Sequence, residues 1–98
     1  MSDYNGILND NGSENELKIF IDLNKKTSYN TNFCVDDISF NAIVEPNKII
    51  VQDKIYHYYV KKCVGEVIIA GKEEPNILHW FLPCIYRQIF FVVTDKEK

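Results

Sequence analysis

The feature of this sequence that most constrains its fold is a regular two-residue alternation of apolar and polar side chains. Successive side chains of a β-strand point to opposite faces, so such alternation predicts a strand with one buried face. The pattern begins at Glu16 and recurs over residues 29–35, 38–44 and 55–63. In the first of these segments the buried face is predicted to consist of Leu17, Ile19, Ile21 and Leu23.

The composition favours strands over helices. The chain contains 13 Ile and 8 Val, against 5 Leu and 2 Ala. Branching at Cβ restricts χ1 in a helix and packs well on a pleated sheet, whereas Ala and Leu are the better helix formers. Six Tyr and six Phe also favour a sheet. We therefore expect a mainly β protein.

Turn signals divide the alternating segments into short strands. Asp36-Asp37 marks a change of parity, Pro46-Asn47 is a typical turn pair, and residues 71–76 form the clearest loop. These signals predict one β-rich domain over residues 16–98, a small antiparallel barrel or sandwich of five to seven strands. One short helix near residues 76–82 is the alternative to a strand there and would make the fold α+β. The polar residues 1–15 are interpreted as a flexible tail.

The net charge, the apolar runs and the cysteine count limit the partners and the cellular location that we expect. The 98-residue chain carries a net charge of −3, which argues against a sequence-independent binder of duplex DNA. No apolar run approaches the ~20 residues of a membrane helix, so no membrane partner is expected. No signal peptide is apparent, and three cysteines are an odd number. Together these observations predict reduced thiols and a cytoplasmic location.

The sequence carries no catalytic signature. Hydrolase elbow, phosphate-binding loop and dinucleotide-binding glycine motifs are all absent, so we expect a protein that is not an enzyme and needs no cofactor. His57, Cys63, His79 and Cys84 could supply zinc ligands, but no C-x2-C pair is present. Residues 57 and 63 would lie about 20 Å apart on one extended strand. No metal site is therefore predicted.

An uneven charge distribution points to protein binding. Residues 1–49 hold 8 acidic and 4 basic groups, and acidic patches attract and orient basic partners. The hypothesis is a non-enzymatic acidic inhibitor, such as a toxin-immunity protein or a phage-encoded antagonist of a host nucleic-acid-processing complex. The residues predicted to contact the partner are Asp36, Asp37, Glu45, Glu73, Glu74, Trp80 and Phe81.

Two other functions remain open at this stage. Small β-barrels also bind single-stranded nucleic acid by stacking bases on aromatic side chains beside cations. The segment that would do so contains Tyr56, Tyr58, Lys61 and Lys62, although no cluster of five or more basic residues is present. The third hypothesis is a structural subunit of a viral or multiprotein assembly, which would self-associate through an apolar surface.

Overall fold

Five tight turns determine the connectivity of the fold. In the computed structural model, which describes residues 2–74 and 89–95, two residues separate the paired strand ends at each of these turns. Each turn includes a residue with positive φ. Two-residue hairpin loops favour such residues because their twist then matches that of the strands. The turns are Asn11-Gly12, Asp36-Asp37, Pro46-Asn47, Gln52-Asp53 and Val64-Gly65.

Eight antiparallel strands form a closed barrel. Each strand pairs with its neighbours in the sequence, and β1 also pairs with β8, which closes the sheet. A mainly β antiparallel barrel is thereby confirmed, whereas the predicted number of five to seven strands is wrong. The strands are β1 (Ser2–Asp10), β2 (Ser13–Ile21), β3 (Tyr29–Val35), β4 (Ile38–Glu45), β5 (Lys48–Val51), β6 (Lys54–Cys63), β7 (Glu66–Glu73) and β8 (Ile89–Thr94).

The prediction of a flexible tail over residues 1–15 is wrong, because Ser2–Asp10 forms β1 and Ser13 begins β2. β1 is hydrogen-bonded on both sides, to β2 along its length and to β8 from Asn5 to Asp10. The inward face of β1 contributes only two apolar side chains to the core, Tyr4 and Leu8, with Gly6 between them. The polar composition that suggested a tail belongs mostly to the outer face and the turn.

The helix predicted near residues 76–82 lies outside the described residues, and so does the α+β alternative that depends on it. Residues 2–74 and 89–95 contain strands, turns and irregular connections, and no helix.

One apolar core fills the barrel. An eight-stranded barrel has an interior just wide enough for side chains to fill. Inward and outward positions alternate clearly along β2, β4 and β8, where most of the inward side chains are buried. The buried apolar residues are Tyr4, Leu8, Leu17, Ile19, Ile21, Phe33, Ala42, Val44, Ile49, Val51, Tyr56, Ile69, Ile89, Phe91 and Val93.

A glycine on β7 leaves space in the core for the ring of Phe91 on β8. Gly71 of β7 faces the interior directly opposite Phe91. A Cβ atom at Gly71 would overlap the Phe91 ring, whose edge occupies that space. Phe91 in turn contacts the rings of Phe33 and Tyr56 edge-on, with centroids 6.2 and 5.7 Å away. The glycine therefore sets the position of the aromatic cluster in the core.

Gly71→Val should destabilise the protein. The added side chain would displace the Phe91 ring in a filled interior, and overpacking of this kind costs about 1–3 kcal/mol. Ala70→Val is the matched control, because the neighbouring side chain faces outward and should change the free energy of unfolding by less than about 0.5 kcal/mol. Urea denaturation measures both values. Equal midpoints for the two variants would contradict this account of Gly71.

Candidate functional site

The two ends of the barrel differ because successive turns lie at opposite ends. One end, here called the acidic end, carries the turns Asn11-Gly12, Asp36-Asp37 and Gln52-Asp53 together with the carboxyl end of β7. The other, here called the tyrosine end, carries the connection 22–28 and the turns Pro46-Asn47 and Val64-Gly65.

The acidic end contains a cavity of about 270 Å³. Its walls are mostly aliphatic and aromatic, and polar side chains from three strands and a turn interrupt them. Two core residues, Phe33 and Tyr56, form its floor. Their rings are stacked, with centroids 5.6 Å apart and an angle of 27° between the ring planes. The lining residues are Leu8, Asp10, Asn15, Phe33, Val35, Phe40, Val51, Gln52, Lys54 and Tyr56.

Carboxylates from four parts of the chain gather at this end. Four of the predicted partner-binding residues, Asp36, Asp37, Glu73 and Glu74, are among them. Asp10 and Asp53, which the sequence analysis did not single out, lie there as well. We call these six side chains the acidic rim: Asp10, Asp36, Asp37, Asp53, Glu73 and Glu74.

Main-chain hydrogen bonds fix the Asp36-Asp37 turn. Asp36 Oδ1 accepts a hydrogen bond from the Glu16 N–H at 2.8 Å, and the Asp36 N–H donates to the Glu16 carbonyl at 3.0 Å. Asp36 and Asp37 have φ values of 48° and 71°, which Asp tolerates better than most residues. Both side chains are exposed. The turn therefore holds the Asp36 carboxylate in place and presents Asp37 beside it.

The other predicted partner-binding residues are placed differently. Glu74 is exposed and lies 3.0 Å from His57 Nε2 on β6, whereas Glu73 is half-buried. Glu45 lies at the tyrosine end, so it cannot share one surface with Asp36 and Asp37. Trp80 and Phe81 lie outside the described residues.

At the tyrosine end, the hydroxyl groups of two tyrosines form hydrogen bonds with the main chain. The hydroxyl oxygen of Tyr29 accepts a hydrogen bond from the Asp22 N–H at 2.7 Å, and the Tyr58 hydroxyl donates to the Glu45 carbonyl at 3.0 Å. Burial raises the pKa of both phenols. A second cavity, of about 250 Å³, lies here, and the ammonium of Lys25 stands 5.4 Å from the centre of the Tyr29 ring.

The residues predicted for nucleic-acid stacking do not form one surface. Tyr56 is only 2% exposed in the core, and Tyr58 is half-buried with its hydroxyl bound to the main chain. Lys61 and Lys62 are exposed at the tyrosine end of β6. The exposed ring of this segment is Tyr59, at 69%. Two of the four residues are thus turned away from any base.

An apolar row crosses the outer surface, and the sequence analysis missed it. Ile7, Val92, Ala70 and Tyr59 stand side by side on β1, β8, β7 and β6. Val92 is 46% exposed, and the neighbouring outward residue of β8, Phe90, is 40% exposed. The signal in the sequence is the presence of apolar residues at both parities of β8.

Neither a metal site nor a membrane helix appears in the described ranges. No group of three or more His, Cys, Asp or Glu side chains there is placed to hold a metal ion. Cys34 and Cys63 are free thiols, while His79 and Cys84 lie outside the described residues. Residues 2–74 and 89–95 include no helix that is long and apolar enough to cross a membrane.

Comparison with known proteins gives no relative. No protein family, curated protein or solved structure matches this chain. Its function must therefore be argued from its own surfaces.

The charge of the acidic end extends to the cavity floor. Burial raises the pKa of Tyr56 to about 12, and the carboxylates of Glu73 and Asp10 add to that increase. Negative potential from two members of the acidic rim thus reaches a phenol that lines the cavity.

Tyr56 should make stability depend on pH above 10. An unfolded tyrosine ionises near pH 10, whereas Tyr56 in the barrel keeps its proton to about pH 12. Between these values the unfolded state has already lost the proton, so the free energy of unfolding falls as pH rises. We expect a shallower fall for Tyr56→Phe, measured by urea denaturation from pH 9 to 12. Tyr59→Phe is the exposed control and should follow the wild type; identical profiles for all three proteins would exclude this role for Tyr56.

Proposed function

We propose that the chain is a non-enzymatic protein-binding module whose acidic rim engages a basic surface on another protein. The carrying observation is that six carboxylates lie at the end of the barrel that also holds a partly apolar cavity, and that one of them, Asp10, lines that cavity. Charge alone gives long-range attraction, and the apolar cavity adds the short-range contact area that a specific interface needs.

The rigidity of the acidic rim supports this proposal. Its turn carboxylates lie on two-residue hairpins, and the main chain of β2 fixes Asp36. A preorganised surface loses little conformational entropy on binding, so more of the interaction energy appears as affinity. Four of the seven residues predicted from sequence belong to this surface, while Glu45 at the tyrosine end does not.

A partner that binds nucleic acid would suit this chemistry best. Such a protein already carries a basic site for phosphates, and fixed carboxylates could occupy it in their place. The narrower proposal is therefore an acidic inhibitor of the toxin-immunity or phage-antagonist kind. Its support is the placement of the acidic rim and the small size of the chain.

The charge of the acidic rim should control association with this partner. The test variant is Asp36→Asn/Asp37→Asn/Asp53→Asn, which keeps the side-chain shapes and the tolerance of positive φ while removing three charges. Its matched control, Asp3→Asn/Glu45→Gln/Glu66→Gln, removes three charges from the tyrosine end. Each protein is used to capture partners from nuclease-treated lysate of the source organism, and association rates with the captured protein are then measured.

We expect the acidic-rim variant to associate about tenfold more slowly at low salt and the control to behave like the wild type. The difference should shrink as salt is raised, because exposed charges are screened. Loss of all capture after nuclease treatment, or equal rates for both variants, would overturn the proposal.

The apolar row on the outer surface favours a second candidate function, a structural subunit that assembles with copies of itself. Four adjacent strands contribute Ile7, Val92, Ala70 and Tyr59 to one continuous line. Contiguous exposed apolar surface of this kind is typical of interaction sites. This function would use the barrel wall rather than the acidic end, so the two candidates are separable by mutation.

If the apolar row is an assembly surface, Val92→Lys should shift the protein toward monomer. A charge in the middle of the row would have to be buried without a partner, which opposes association. Sedimentation velocity across a concentration series measures the effect, with Ile43→Lys on the outer face of β4 as the control. A wild-type protein that stays monomeric at every concentration would rule this candidate out.

A further inference from the structure

We propose that the cavity at the acidic end binds one guanidinium group, carried on an arginine side chain that projects from the basic partner. This inference rests on the proposed function and makes it more specific. It predicts that the interface has a single central anchor, in addition to the diffuse attraction of the acidic rim.

The size of the cavity fits one side chain. At about 270 Å³ it exceeds the ~150 Å³ cavity in which an apolar site binds benzene. It lies just below the ~300–1,000 Å³ that is usual for drug-sized ligands. A single long side chain therefore fits the space better than a cofactor or a nucleotide does.

The walls suit the two parts of an arginine side chain. Leu8, Val35 and Val51 offer aliphatic surface to a methylene stem. The floor is aromatic, and a planar guanidinium stacks on an aromatic face more readily than a compact ammonium does. Phe33 and Tyr56 supply that floor.

The acidic rim gives the end of the barrel around the cavity a charge that is complementary to a cation. Asp10 lines the cavity, and Glu73 lies close enough to raise the pKa of the Tyr56 phenol at its floor. Carboxylates bind guanidinium through paired, charge-assisted hydrogen bonds. Lys54 also lines the cavity, but its side chain is exposed at the start of β6, and its flexible stem can move toward solvent as a guanidinium enters.

The cavity at the tyrosine end lacks these properties. Its two phenol hydroxyls are already bound to main-chain groups, and its lining holds two lysines, Lys25 and Lys26, as well as two carboxylates, Asp22 and Glu45. The lysines there offset the carboxylates, and the acidic rim lies at the opposite end of the barrel. The acidic-end cavity is therefore the better site for guanidinium.

The direct test uses n-butylguanidinium as the probe and uncharged n-butylurea as its control of similar shape. Both are titrated into the ¹⁵N-labelled full chain and followed by amide chemical shifts. We expect saturable shifts at Leu8, Val35 and Val51, with a dissociation constant for the guanidinium on the order of 1 mM. The urea should bind about tenfold more weakly, because its hydrogen bonds to a carboxylate are not charge-assisted.

Three variants locate the probe. Val35→Trp should fill the cavity and abolish the shifts, and its circular dichroism spectrum shows whether the barrel has folded. Asp10→Asn keeps the shape of the side chain and should weaken guanidinium binding several-fold, with a smaller effect on urea binding because the urea carries no charge. Lys54→Gln removes the competing cation and should strengthen guanidinium binding. Shifts that persist in folded Val35→Trp, absence of saturable shifts in the wild type, or equal affinity for both probes would overturn the guanidinium site.

Partner capture separates this inference from the proposed function. If the captured protein binds Val35→Trp as tightly as wild type but binds the acidic-rim variant more slowly, the arginine anchor is wrong and the proposed function stands. If the guanidinium probe binds but no protein survives nuclease treatment, the proposed function fails and the cavity chemistry is confirmed. Loss of both partner and probe in Val35→Trp supports both.

Discussion

The pairing of β1 with β8 is the interaction on which the rest of the structure depends. It joins the first and last described strands over six residue pairs, from Asn5 opposite Thr94 to Asp10 opposite Ile89. Without it, β1 and β8 would each expose a row of unpaired main-chain groups, which invites pairing with other chains. Closure removes both edges. It also gives all eight strands a common interior, in which fifteen apolar side chains are buried together.

Closure also fixes what the interior can hold. The inward face of eight strands is narrow enough that side chains fill it, and the cluster of Phe33, Tyr56 and Phe91 occupies the middle of this barrel. Gly71 provides the space that the Phe91 ring requires. The two cavities described above lie at the ends of the barrel, where turn or connecting residues join strand residues in the lining. The cavity of the acidic end is therefore a consequence of how the core is packed.

The separation of charge between the two ends follows from the meander topology. Alternate turns of an up-and-down barrel lie at the same end, so residues far apart in the sequence become neighbours. Asp10, Asp53 and Glu73 meet in this way, although more than sixty positions separate the first from the last. Lys25, Lys26, Lys61 and Lys62 are brought to the other end by the same rule. The six carboxylates of the acidic rim come in equal number from the two halves of the sequence, so the charge of this end depends on which turns and strand ends meet there.

The sequence by itself determined the strand content, the inward parity of most strands and the turns at Asp36-Asp37 and Pro46-Asn47. These depend on local rules: side-chain alternation, Cβ branching and the φ preferences of turn residues. The same rules also contain a signal for β1, because Asn11-Gly12 is typical of a hairpin turn, but the polar residues around it favour a tail. Only the tertiary structure decided that the sheet closes, that Tyr56 is in the core, and that Glu45 lies away from Asp36. Those outcomes depend on strand register and on which turns share an end, and both are set by contacts between residues distant in the sequence.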